Sequence, residues 1–150
     1  MTGPALVGPT MEPAIACRAY LTRRLADRGI TEEYLPVGAT TPAGTPRRYV
    51  LLNQLDSRRR GPVADYMLRA RVFNEDAFEV GQHGTLLHGA LLAAAQVKVV
   101  FPDVGELWIT GTEHVSGPSD LQDPDHEPLF GQAMTVWWTV ALKPIEGNAP

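Results

Sequence analysis

Only one cysteine occurs in the chain, Cys17. It cannot form an internal disulfide, so nothing in the fold calls for an oxidising compartment, and folding in the cytosol is expected. A basic excess is missing too. Thirteen Lys and Arg face 17 Asp and Glu, a formal charge of -4, which argues against a general nucleic-acid binder, whose footprint is basic. No long apolar run is present. The most apolar window, Leu86 to Phe101, is interrupted by His88, Gln96 and Lys98, and it falls short of the roughly 20 apolar residues that span a bilayer. The opening MTGPALVGPT lacks both the basic start and the apolar stretch of a signal peptide, so neither export nor a membrane segment is expected. The chain also has no GxxxxGKS/T or GxGxxG phosphate loop, no CxxC pair and no GxSxG around any serine, which leaves an enzyme reading short of parts.

What is present reads as one domain. With 44% hydrophobic and 20% charged residues in 150 positions, the chain has the composition of an ordinary globular protein with one core. Pro- and Gly-rich ends at 1–10 and 145–150 read as tails around a single domain at 11–144. Pro13, Ala14, Cys17, Leu21 and Leu25 recur at helical spacing, with Arg18, Arg23, Arg24 and Arg28 mostly off that stripe and Gly29 placed to end a helix over roughly 12–28. VGATTPAGTPRR reads as an extended connector, after a short strand near Tyr34 to Val37. Tyr49 to Leu55 and Ala64 to Asn74 read as strands of a hairpin whose tip, DSRRRGPV, carries Arg58, Arg59 and Arg60. Asp76 caps a second helix running to about Gln96. Its Gly81, Gly84 and Gly89 each cost about 1 kcal/mol relative to alanine, which implies close packing on the sheet or the first helix, unless the helix starts later.

Gly105 to Val115 alternates again. In Gln132 to Lys143, Met134, Val136, Trp138, Val140 and Leu142 form one apolar face against Ala133, Thr135, Trp137, Thr139 and Ala141, the period-2 pattern of a half-buried strand. The expected fold is α+β: two helices packed on one face of a mainly antiparallel four-stranded sheet, in the order α-β-β-α-β-β.

The stretch GPSDLQDPDHEP, residues 117–128, gathers Asp120, Asp123, Asp125, His126 and Glu127 between prolines. Its oxygens suit calcium or magnesium, but an EF-hand needs a glycine after its third ligand and a glutamate at position twelve. Pro124 and Pro128 also stiffen the backbone where it would wrap an ion. A partner-facing loop of some fifteen residues, 117–131, fits better, because loops that long tend to be functional or disordered. Arg58 to Arg60, with Arg69 and Arg71 on the next strand, read either as a solvated tip or as a contact for an acidic partner or phosphates. His83 and His88 lie about 140° apart around their helix and cannot converge on one ion. Cys17 sits on an apolar stripe and reads as a buried structural thiol.

Three stretches together resemble the tail-terminator (tail-to-head joining) proteins of long, non-contractile-tailed phages, over nearly all of residues 12–143. They are the first helix followed by VGATTPAGTPRRYVLL, then AFEVGQHGTLLHGALLAAA, and VSGPSDLQDPDHEPLFGQAMTVWWTVAL. The resemblance implies a ring, six copies in that family, which caps the tail tube at the length fixed by the tape-measure protein and then presents a surface to the filled head. It implies no catalytic residue, cofactor or metal. The implied partners are other copies of the chain, the tail-tube protein, a head-completion or connector protein and the tape-measure protein, with DNA only passing through the lumen and no membrane. The implied location is the virion's tail neck, assembled in the bacterial host cytoplasm. Where the family leads one to expect a glycine-rich hairpin tip, this chain has SRRRGP. Arg58, Arg59, Arg60, Asp120, Asp123, Asp125, His126 and Glu127 are then the candidate partner contacts. The alternatives are another head-tail connector or minor tail protein, and a small metal-dependent enzyme using the 120–127 loop.

Overall fold

The computed structural model describes residues 6–7, 12–101, 105–141 and 143–144. In chain order these form β1 (Leu6–Val7), α1 (Pro13–Asp27), β2 (Val37–Gly38), β3 (Arg48–Arg60), β4 (Val63–Asn74), α2 (Ala77–Leu92), β5 (Val97–Phe101), β6 (Gly105–Leu121), a single 3₁₀ turn (Pro124–His126), β7 (Phe130–Ala141) and β8 (Lys143–Pro144). β1 pairs with β8 in a small two-stranded sheet.

The main sheet has six strands in the order β2-β3-β4-β7-β6-β5 and curls into a half-barrel. It is mixed, because β2 lies parallel to β3 while the other neighbours are antiparallel. This corrects the expectation of four strands in a mainly antiparallel sheet. The two additional strands are the edges, and each was masked for a physical reason. β2 has two residues, too few for a period to show. β5 sits inside the apolar window that reads as the end of a helix, yet α2 stops at Leu92 and Gln96 adopts a φ of 70°. Past that left-handed residue the β-branched pattern of VKVVF favours a strand.

The helices form where periodicity and capping agree. In α1, Pro13 occupies the first turn and Ala16, Cys17, Tyr20, Leu21 and Leu25 are buried. Gly29, at φ 78°, donates its N–H to the Ala26 carbonyl and ends the helix. In α2 the Asp76 carboxylate accepts from the N–H groups of Phe78 and Glu79, satisfying two of the donors every helix start leaves open.

Both helices cover one face of the sheet, where Val50, Leu52, Leu68, Ala70, Val72, Leu107, Ile109, Met134, Val136, Trp138 and Val140 are buried with them. At about 1.5 to 3 kcal/mol for each large side chain fully buried, this face dominates the stability. Two polar ties fix the layers. Tyr20 donates its hydroxyl to the Ala90 carbonyl at 2.6 Å and meets Trp138 edge-on. Trp138 donates Nε1–H to the Leu91 carbonyl at 3.0 Å. Gly84 lets α2 approach β7, because a Cβ there would lie 2.0 Å from the Gln132 amide oxygen. Gly89 has nothing within 4 Å of that position, so packing does not account for it.

Candidate partner-binding surface

The second face of the sheet carries the charged groups. It is built by the residues that alternate with the core: Asp65, Met67, Arg69, Arg71 and Phe73 on β4, and Thr135, Trp137 and Thr139 on β7. A small second core of Tyr49, Leu51 and Phe73, with Leu121 and Leu129 packed on it, closes one end.

At the other end lies a cluster that the hairpin reading did not contain. β3 does not turn at DSRRR. It continues to Arg60, and the turn is Gly61–Pro62, with Gly61 at φ 60°. The three arginines are thus strand residues rather than a tip, which corrects the expected geometry. A register shift between Gln54 and Asp56 puts Arg58 opposite Asp65 and Arg60 opposite Val63. Such a bulge re-aims the side chains beyond it, and Arg58 and Arg60 emerge on the face of Asp65 while Arg59, opposite Ala64, alternates to the other. Asp65 is 1% exposed. Its carboxylate accepts from Arg60 Nε at 2.6 Å and Nη2 at 3.1 Å, from Arg58 Nε at 2.8 Å and from Thr139 Oγ1 at 2.6 Å. The Arg60 hydrogen bonds, reinforced by Arg58 and Thr139, hold this carboxyl well below the usual aspartate range against the opposing effect of burial, and Asp65 in turn raises Arg60. The Arg58 guanidinium lies 4.4 Å over the Trp137 ring, a cation–π contact. One carboxylate thus serves two arginines whose side chains stay 50% and 56% exposed, and Glu113 on β6 is close enough to act on Arg60 as well.

The acidic loop is shorter than expected. β6 runs on to Leu121 through several register shifts, so only residues 122–129 join it to β7. This corrects the fifteen-residue loop to eight, and the prolines take defined places within or beside it. Pro118 lies in β6, Pro124 opens the 3₁₀ turn, and the Gly117–Pro118 and Glu127–Pro128 peptides are cis. Asp123 accepts from the Asp125 N–H and lies 3.7 Å from both Arg71 and His126. His126 is a pillar beneath the loop: it stacks on Phe73 with ring centroids 4.1 Å apart and shares a hydrogen bond between its Nδ1 and the Tyr49 hydroxyl. Burial raises the Tyr49 hydroxyl above the ordinary tyrosine value.

Asp120, Asp123 and Glu127 line a groove of about 620 Å³ together with Ala77, Val80 and Phe130. Asp125 is exposed and outside that lining, and Asp120 accepts from the Gln132 amide at 3.3 Å. Among the described residues, no three His, Cys, Asp or Glu side chains gather to hold a metal ion. Asp120, Asp123 and His126 are engaged by Gln132, Arg71 and the second core, while Asp125 and Glu127 are exposed. Arg71 also donates to Asn53 at 3.2 Å, so the loop is tied to the middle of the sheet's second face.

No family model matches the chain, and no curated protein matches it. Among the described residues, no helix is long and apolar enough to cross a membrane. Asp65 and Thr139 are the functional candidates missed from sequence. Asp65 lies in phase with Arg69 and Arg71, but the bulge that delivers Arg58 and Arg60 to it leaves no mark in the hydrophobic pattern.

Proposed function

We propose that the chain is a virion protein of a long, non-contractile-tailed phage, acting as the tail terminator. Copies close into a ring, of six by the resemblance, on the end of the tail tube. The ring stops further addition of tube subunits and offers its other side to the head connector. The resemblance of residues 115–142 to the terminator's last hairpin suggests the role. The observation that carries it is the division of the sheet: one face is sealed by both helices, while the other carries the Arg58–Asp65–Arg60 cluster at one end, and the acidic loop lies at the opposite end with its groove reaching round to Ala77 and Val80 of α2. Two separate charged surfaces at opposite ends of the sheet are more than a lone folded monomer requires. A head-to-tail ring needs surfaces for its neighbours and for two different axial partners. The function is then geometric rather than catalytic, carried out in the tail neck.

The test is assembly. Purified chain is measured by native mass spectrometry, alone and with tail tubes, and particles lacking it are imaged by electron microscopy. The expected results are a ring in solution or on tube ends, and overlong or headless tails without it. A chain that stays monomeric and leaves tube ends uncapped overturns the reading. Normal-length tails that merely lack heads would assign the chain to a head-side connector instead.

A further inference from the structure

We infer that His88 and His114 form a two-histidine site for a divalent transition-metal ion, independent of the acidic loop and of the proposed assembly role. The pair joins α2 to β6 across 26 positions of sequence, with His88 Nε2 2.9 Å from His114 Nδ1 and the rings 5.0 Å apart at 81°. Two imidazole nitrogens bound to one ion at about 2.0 to 2.1 Å stand about 2.9 Å apart at a right angle and about 3.3 Å apart at the tetrahedral angle. The observed separation is already at that bite. His88 is half-buried in a packed helix and His114 is exposed on a strand, so one ligand is held while the other can turn its ring toward the ion, and solvent supplies the remaining ligands. At present one nitrogen of the pair donates a proton to the other. In two neutral rings that proton moves through solvent to the outer nitrogen of its own ring, which frees both facing lone pairs without net proton loss. Imidazole donors select zinc, nickel or copper over magnesium and calcium.

The other two histidines and the cysteine are occupied or inaccessible. The chain has four histidines and one cysteine. His126 is engaged by Tyr49 and stacked on Phe73. His83 is buried beside Glu79 and Tyr34, and Cys17 is fully buried. A transition ion that binds the native chain through imidazole therefore has one pair to use.

The experiment is calorimetric titration of tag-free chain with Zn²⁺, Cu²⁺ and Ca²⁺, for the parent and for His88→Gln and His114→Gln. The expected result is one Cu²⁺ or Zn²⁺ per chain, no Ca²⁺ heat, and a loss of affinity of about a hundredfold in either variant, since joining two ligands strengthens binding by about 10²- to 10⁴-fold. Selective broadening of the His88 and His114 ring signals by Cu²⁺ in NMR spectra of the parent provides the same reading without a substitution. Absence of Cu²⁺ and Zn²⁺ binding at about 1 mM, binding that survives both substitutions, or broadening centred on another residue would overturn the site.

Discussion

Asp65 shows how one buried side chain can organise a surface. It is the acceptor for two arginines and a threonine, and replacing it by asparagine leaves those donors facing an amide. Because both guanidinium groups can rehydrate, the cost of Asp65→Asn should lie at the lower end for a lost charged hydrogen bond, roughly 1 to 2 kcal/mol by urea denaturation. The folded-state pKa of Asp65 is depressed below the ordinary 3.8. The group therefore contributes stability that is fully present above about pH 5 and is lost as the pH falls through about 4 toward the folded value. The parent should lose more stability than Asp65→Asn between about pH 5 and pH 2, and parallel curves would count against this account. Cys17 gives a second test at this scale. Burial raises its thiol far above the ordinary range, so a disulfide reagent should leave it unmodified in the native chain and label it fully once denaturant unfolds the domain. Rapid native labelling would mean that the α1 seam opens.

At the scale of elements, α2 separates two uses of glycine. Gly84 makes room for Gln132, whereas a Cβ at Gly89 would meet nothing within 4 Å. Gly89→Ala should therefore add about 0.5 to 1 kcal/mol from helix propensity alone, measurable as a higher denaturation midpoint at unchanged m-value, while Gly84→Ala must displace the Gln132 amide from its bond to Asp120. A Gly89→Ala variant that destabilises would show that α2 is not continuous there. Elements were legible in the sequence where period and punctuation coincide. On β7, Met134, Val136, Trp138 and Val140 are fully buried as their alternation predicts, Leu142 lying outside the described residues, while Asp76 caps α2 and Gly29 ends α1. They were illegible where the deciding event is a single backbone residue. The bulge after Gln54 converts an apparent arginine tip into strand, and the left-handed Gln96 divides one apolar window into a helix end and an edge strand. The pairing of the loop's Asp123 with Arg71 and His126 follows from where β6 ends after its own register shifts, so the acidic residues were identified as a group without their partners.

Across the whole molecule, the Arg58–Asp65–Arg60 cluster and the acidic loop lie at opposite ends of the paired strands β4 and β7. Asp125 and Glu127 project from the loop end and are exposed. Reversing both, as Asp125→Lys with Glu127→Lys, should leave the fold within about 0.5 kcal/mol per site, the range of surface substitutions, while turning an acidic loop edge basic. If the ring is built by the helices and sheet faces and the loop meets an axial partner, the double variant should still form rings by native mass spectrometry. It should fail at one end only, giving either capped tails without heads or tubes that are never capped. Added salt should weaken the parent's contact and relieve the variant's repulsion, because charges at an interface rim act through screened, long-range attraction. Loss of the ring itself in this variant would place the loop between neighbouring copies, and the axial partner would then have to meet the Arg58 and Arg60 end of the face.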